Sequence, residues 1–177
     1  RIAAFARVGV TRVSLGVQDF DPKVQAAINR RQSFEETAWA ARTFRSHGID
    51  ALNIDLVYGL PHQTRSTLED TVGKVIELRP SRIAAFGYAH LPSRLKHQAL
   101  IDTAALPGPV ERFAQASRLS RLLVGAGYVR IGIDHYALPA DPLAASALTR
   151  NFQGYTTDTA DALIGLGASS IGRLPQG

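Results

Sequence analysis

The sequence predicts an α/β fold built around a parallel sheet. Three observations carry that reading. Short β-rich runs alternate with helical runs of about 10–15 residues, the rhythm of βαβ units. The strongest strand, Ala51 to Tyr58 (ALNIDLVY), is mostly apolar on both faces, as in a parallel strand covered on both sides. Gly and Pro clusters such as Gly59-Leu60-Pro61 punctuate the runs. The spacing suits either a β/α barrel or a doubly wound sheet, and both place chemistry at the C-terminal ends of the strands.

The elements follow in order. Val13 to Val17 reads as a short buried strand. Asp21 is an N-cap and Pro22 a first helical residue, opening a helix to about Asn29. Ser33 and Glu36 form a capping box for a helix through Ala38, Ala41 and Phe44 to His47, stopped by Gly48. Ala51 to Tyr58 comes next. Ser66 with Glu69 reads as a second capping box, for a helix that ends at Leu78 before Pro80. Ile83 to Ala89 is a strand, and Pro92 starts a short helix. Pro109 starts a longer one, with Phe113, Ala116, Leu119, Leu122 and Leu123 at helical spacing and Gly125 and Gly127 at its end. Tyr128 to Ile133 is the last clear strand. From Asp134 on, Pro, Ala and Gly rise and the rhythm weakens, which sets a soft boundary there.

Composition bounds the function. The chain has 177 residues, enough for one domain or at most two and for a real core. No apolar run reaches the roughly 18 residues of a membrane span, and the first residues lack signal-peptide anatomy, so a cytoplasmic location is expected. With no Cys, these residues offer no disulfide and no thiolate for zinc or an iron–sulfur cluster. The absence of Met, with Arg at position 1, reads as part of a longer protein. Net charge is +5, and 17 of the 20 basic residues are Arg, whose planar fork grips carboxylates and phosphates. They are scattered, with no run beyond Arg30-Arg31. That is not the dense, aromatic-interleaved stripe of a nucleic-acid binder, and an anionic small ligand or a solvated surface fits better.

The strand ends hold the candidate residues. Gln18 donates and accepts at once, which suits a zwitterionic ligand, or it belongs to a turn in which Asp19 or Asp21 caps the next helix. Asp55 lies inside an apolar strand between Ile54 and Leu56. A carboxylate facing the interior needs a cation, either a structural Arg or a ligand ammonium. Arg30 ends the first capped helix, where it serves the helix C-terminus or a ligand carboxylate. Tyr88-Ala89-His90 and Asp134-His135-Tyr136 end two further strands. An Asp–His pair there serves as a metal ligand or a general acid–base pair. The five His have no recognisable ligand spacing, so no metal ligand is assigned. Asn151 to Tyr155 reads as a polar, aromatic ligand-lining loop, and Leu163 to Ser170 as a glycine-rich turn without the full dinucleotide fingerprint.

Three strings in this order, Ser14-Leu15-Gly16-Val17-Gln18-Asp19-Phe20, Asn53-Ile54-Asp55-Leu56-Val57-Tyr58-Gly59-Leu60-Pro61 and Tyr88-Ala89-His90-Leu91-Pro92, resemble the radical S-adenosylmethionine core of the oxygen-independent coproporphyrinogen III oxidases. The resemblance covers nearly the whole chain. The first two strings also occur in the sister haem chaperones. Ile131 to Tyr136 and Arg150 to Thr157 match the oxidase and not the chaperone.

The resemblance implies a partial parallel β/α (TIM-like) barrel. Residues 1–133 are its C-terminal part, and 134–177 a following segment that leads to a C-terminal domain. It implies oxidative decarboxylation of two propionates of coproporphyrinogen III to vinyls, giving protoporphyrinogen IX in haem biosynthesis. A [4Fe–4S] cluster cleaves S-adenosylmethionine, and a 5′-deoxyadenosyl radical takes a propionate hydrogen. The family binds two S-adenosylmethionine molecules. By matching motif, Gln18, Arg30, Asp55 and Ala89 correspond to contacts with the second molecule, Ile171 to a contact with the first, and Phe152-Gln153 to a loop near the site. The family's CxxxCxxC motif is absent, which reads as an inner fragment that is inactive alone, has its cluster ligands elsewhere and exposes barrel edges prone to pairing. The stretch between His135 and Asn151 looks shorter than in the family. The electron donor is not indicated. Two alternatives stand beside this: a haem-binding chaperone on the same core, and a β/α-barrel hydrolase using Asp134 and His135.

Overall fold

The structure is a computed structural model that describes residues 2–145, 147–151, 154–168 and 170–175. Three parallel strands form its frame: β1 (Arg12–Gln18), β2 (Ala51–Tyr58) and β3 (Arg82–Gly87). Two short strands, β4 (Val129–Ile131) and β5 (His135–Ala137), complete a five-stranded sheet in the order β1-β2-β3-β5-β4. β5 runs antiparallel between β3 and β4. The run expected as one strand from Tyr128 to Ile133 is therefore the first arm of a hairpin, turned at Gly132 with φ +59. The boundary read near Asp134 falls in the turn of that hairpin, and both arms belong to the same sheet. A second, two-stranded sheet joins β6 (Thr149–Asn151) to β7 (Gly154–Thr156).

The helices are α1 (Ile2–Arg7), α2 (Pro22–Ala27), α3 (Phe34–Ser46), α4 (Arg65–Glu77), α5 (Pro109–Gly125) and α6 (Pro142–Ala145). Asp21 caps α2 by accepting from the Lys23 and Val24 N–H groups, as its sequence predicts. Ser33 and Glu36 make the expected capping box on α3, and Gly48 leaves that helix at φ +79. The cap of α4 differs from expectation. Thr64 is the N-cap and Thr67 its reciprocal partner, because the Glu69 carboxylate is turned to Arg118, at 2.7 and 3.0 Å. Pro92 lies in a turn, and a short 3₁₀ segment starts only at Lys96.

Strand alternation decides the two faces of the sheet. Val17, Leu52, Ile54, Leu56, Ile83 and Ala85 point to one side and are buried with Ala38, Ala41, Leu68, Val72, Val75, Leu119 and Leu123 from the helices. Truncating one of the fully buried residues, such as Ile54 or Leu123, to Ala should cost about 2–5 kcal/mol. Phe113, expected in this core, is 75% exposed and lines a surface depression with Tyr58 and Gly87 at the end of the sheet. The other side of the sheet is not helix-covered as ALNIDLVY suggested. It is polar and lines a cleft.

Candidate functional site

Register places the cleft residues in rows. One row across the sheet is Gly16, Asp55, Ala84, His135 and Ile131. The row before it is Ser14, Asn53, Arg82 and Ala137. Small residues flank Asp55 on both sides, so its carboxylate stands in open space rather than under a neighbour. The cleft above has a volume of about 510 Å³ and is bounded by Arg12, Asn53, Asp55, Phe86, His135 and Tyr155 among others.

Both oxygens of Asp55 are held. Asn53 Nδ2 donates to Oδ1 at 2.7 Å, and Ser14 Oγ donates to Oδ2 at 3.2 Å. Asn53 Nδ2 also donates to Ser14 Oγ at 2.7 Å, closing a triangle. Among the described residues no ion pair engages Asp55, so a structural Arg is not its partner here. The carboxylate is half-buried and oriented, and it faces the cleft without an ion-pair partner among the described residues.

Gln18 and Arg30 meet at the end of β1. Gln18 Nε2 and Arg30 Nη2 lie 2.9 and 3.0 Å from the point a Cβ on Gly16 would occupy. Arg30 Nη2 donates to the Gly16 carbonyl at 2.6 Å. Gly16 pairs in register with Asp55 on the adjacent strand, about 4.8 Å away. Three of the residues singled out by sequence, Gln18, Arg30 and Asp55, thus converge on one end of the sheet. Ala89 is exposed past the end of β3, with its carbonyl accepting from Gln98 Nε2 at 3.0 Å. Ile171 is 55% exposed in a loop closed by the Leu163–Arg173 bridge, and no hydrogen bond among the described residues ties that loop to the cleft. Phe152 and Gln153 lie outside the described residues.

The Asp134–His135 pair is real, with His135 Nδ1 to Asp134 Oδ1 at 2.6 Å. Its setting is one of packing. The ring is buried and stacks edge-on against Phe86 and Tyr155 at 5.8 and 5.3 Å between centroids. Its Cε1–Nε2 edge lies under Gly154, where a Cβ would stand 2.5 Å from both atoms. No cluster of three or more His, Cys, Asp or Glu suited to a metal ion occurs among the described residues.

Two further groups stand beside the site: Asp141 carries no sequence signal, and the sequence predicts Asp19 only as a turn or helix-capping residue. At the far end of the cleft Asp141 accepts from Arg82 at 2.7 to 2.9 Å and lies 3.6 Å from Arg12. Burial pushes its carboxyl up, but the hydrogen bonds from Arg82 and the Leu143 N–H, with both Arg charges, outweigh burial and hold it below the ordinary range. Behind Gln18, Asp19 is fully buried. It accepts from the Asp21 N–H at 2.6 Å, Thr71 Oγ1 at 2.8 Å and Gln63 Nε2 at 2.6 Å. Burial raises its carboxyl above the ordinary range despite those three donors. Only the long-range fold brings these groups together, and a residue-by-residue reading of strand ends has no means to pair them.

Residues 1–75 match the family model of the Radical SAM superfamily. A protein of Cereibacter sphaeroides named coproporphyrinogen III oxidase, anaerobic 1, is 51% identical over 181 residues, covering 100% of this chain and 40% of the relative. The oxygen-independent coproporphyrinogen III oxidase of Bradyrhizobium diazoefficiens is 52% identical over 180 residues, covering 99% of this chain and 40% of the relative. The structure superimposes on coproporphyrinogen III oxidase of Escherichia coli, described as a radical SAM enzyme, with a TM-score of 0.90 and 40% identity over 98% of this chain and 41% of that one. The chain thus spans about 40% of the length of the relatives it matches. With half its residues identical to theirs from end to end, and the same fold throughout, the chain belongs to the oxygen-independent coproporphyrinogen III oxidase family of the radical SAM superfamily.

Proposed function

We propose that this chain is the S-adenosylmethionine-binding part of an oxygen-independent coproporphyrinogen III oxidase, which converts two propionates of coproporphyrinogen III to vinyls. One observation supports it most. An oriented carboxylate without an ion-pair partner among the described residues (Asp55) stands one strand from a guanidinium and an amide (Arg30, Gln18). That is the charge pattern of a site for an α-amino acid, whose ammonium needs an acceptor and whose carboxylate needs donors. S-adenosylmethionine ends in such a group. In this reading Asp55 accepts from the ammonium, Arg30 grips the carboxylate, and Gln18 bridges polar edges. Ala89 and Ile171 give backbone or apolar contact to adenosine, and Phe152-Gln153 correspond to a loop near the site. Two S-adenosylmethionine molecules are bound, Ile171 serving the first and Gln18, Arg30, Asp55 and Ala89 the second.

The cluster is a different matter. A [4Fe–4S] cluster needs thiolates, and this sequence has no Cys, so its ligands come from outside these residues. When bound, the cluster and S-adenosylmethionine supply the one-electron chemistry that removes a hydrogen atom from a propionate. The residues here bind, orient and charge-balance. The four carboxylates of coproporphyrinogen also suit an Arg-rich chain.

In the full-length enzyme, Asp55→Ala should weaken S-adenosylmethionine binding by roughly tenfold to a hundredfold, the loss of one charged hydrogen bond. Turnover should vanish while the cluster's absorption persists. Wild-type binding in that variant would remove Asp55 from the site. Haem binding without anaerobic decarboxylation of coproporphyrinogen would favour the chaperone instead.

A further inference from the structure

The ladder of β1 breaks at one point. Gly16 pairs with Asp55 and Gln18 with Leu56, so one residue bulges between them. At that bulge Gln18 stands at φ +66, a region that costs a non-glycine residue about 1–3 kcal/mol and persists only where its surroundings impose it. The next residue does the imposing. Asp19 is fully buried, and its carboxylate is fixed by three donors from the α2 entry, α4 and the β2–α4 loop. Gln63, the donor from that loop, is itself locked through its amide oxygen by the Gly59 N–H at 2.7 Å. The second arm is tied to the same point. Gln25 Nε2 donates to the Asp19 carbonyl and to the Gln32 carbonyl, both at 2.7 Å, so the loop that carries Arg30 is stapled to the end of β1. The bare Cα of Gly16 leaves room for both side chains.

We infer that the β1 bulge is a preorganised fork, in which buried Asp19 and side-chain-free Gly16 act as positioning residues that set Gln18 and Arg30 together to receive the carboxylate end of S-adenosylmethionine. The inference rests on the reading of Gln18 and Arg30 given under Proposed function. Neither Asp19 nor Gly16 touches the ligand. Asp19 fixes the backbone from beneath, and Gly16 keeps the space above its own carbonyl clear. Preorganisation matters because long side chains otherwise lose rotamer freedom on binding.

The test is calorimetric titration of the full-length enzyme with S-adenosylmethionine, the cluster kept oxidised. Gln18→Ala and Arg30→Ala identify the binding event that the fork serves. Gly16→Ala should weaken that event by roughly tenfold. Its thermal midpoint should change little, because the atoms it displaces are the far ends of two flexible side chains and the loss is confined to the Arg30–Gly16 hydrogen bond. Asp19→Asn puts an amide N–H against a donor and should weaken the same event. In a Gln18→Ala, Arg30→Ala background, Gly16→Ala should add no further loss, since it has nothing left to position. Losses that simply add overturn the inference, as does wild-type binding by Gly16→Ala. If Gln18→Ala and Arg30→Ala both bind as wild type, the underlying site reading falls instead. Should Asp19→Asn fail to fold, the Gly16→Ala cycle decides alone.

Discussion

Two buried carboxylates of this chain respond to pH in opposite senses. Asp141 is held below the ordinary carboxyl range, so its contribution is complete above about 3.9, the unfolded value, and is lost as pH falls through the folded value. Asp19 is raised, so its ionised form is a cost at neutral pH that is relieved as pH falls through its folded value. The Asp141 side chain is 3% exposed, but solvent reaches the cluster through Arg12 at 38%, which screens part of the interaction. Asp141→Ala leaves Arg82 without its partner and should cost about 2–3 kcal/mol at neutral pH. It should also flatten the acid limb of stability. Urea midpoints of the full-length protein, followed by circular dichroism from pH 7 to pH 3, check both. An unchanged acid limb in Asp141→Ala would show that other carboxylates govern it.

At the scale of the element, α4 tests which residues cap. Thr64 Oγ1 accepts from the Thr67 N–H at 3.2 Å, and Thr67 Oγ1 accepts from the Thr64 N–H at 3.0 Å. Thr64→Ala should therefore cost about 1 kcal/mol, and Ser66→Ala only a few tenths. A larger loss for Ser66→Ala in thermal melts would restore the cap read from sequence. The misreading is instructive. Ser66 and Glu69 have the right spacing, but Glu69 finds Arg118 across 49 positions of sequence, and local patterns do not contain that rival. Where no rival exists the pattern holds. Ser33 and Glu36 form the box that their spacing predicts, and Ala51–Tyr58 forms a strand with the expected limits. Asp55 was legible for a similar reason, since strand alternation alone opposes it to Ile54 and Leu56. Its partners Ser14 and Asn53, and the support of Gln18 by Gln63 44 positions from Asp19, were not. β5 was hidden too, because three residues are too few to show a period.

Across the whole molecule, Tyr155 packs the small β6–β7 sheet on Ile131, Ala137 and Leu143, and a second contact, the seat on His135, depends on two glycines. Gly154 sits at φ +116 directly over the His135 ring, and a Cβ there would meet Cε1 and Nε2 at 2.5 Å. Gly132, at φ +59, leaves the corresponding space for the Tyr155 hydroxyl. Tyr155 then stacks on His135 and receives Arg150 at 5.5 Å over its ring. Of the two strings that best separate oxidase from chaperone by sequence, Ile131, Gly132 and His135 of one and Gly154 and Tyr155 of the other are thus packed against each other beside the cleft. Gly154→Ala combines a forbidden backbone angle with a collision, so the hairpin has to lift from His135. The main sheet does not depend on that contact, so the circular dichroism of the full-length protein should stay close to wild type. Trypsin should reach Arg150 and cut there faster, by roughly the Boltzmann factor of the docking energy; for about 1.4 kcal/mol this is tenfold. Gly127→Ala also places a side chain at positive φ, +90, but with nothing within 4 Å, and should leave cleavage at Arg150 unchanged. Equal cleavage rates for the Gly154 and Gly127 variants would show that the hairpin is not held by its seat on His135.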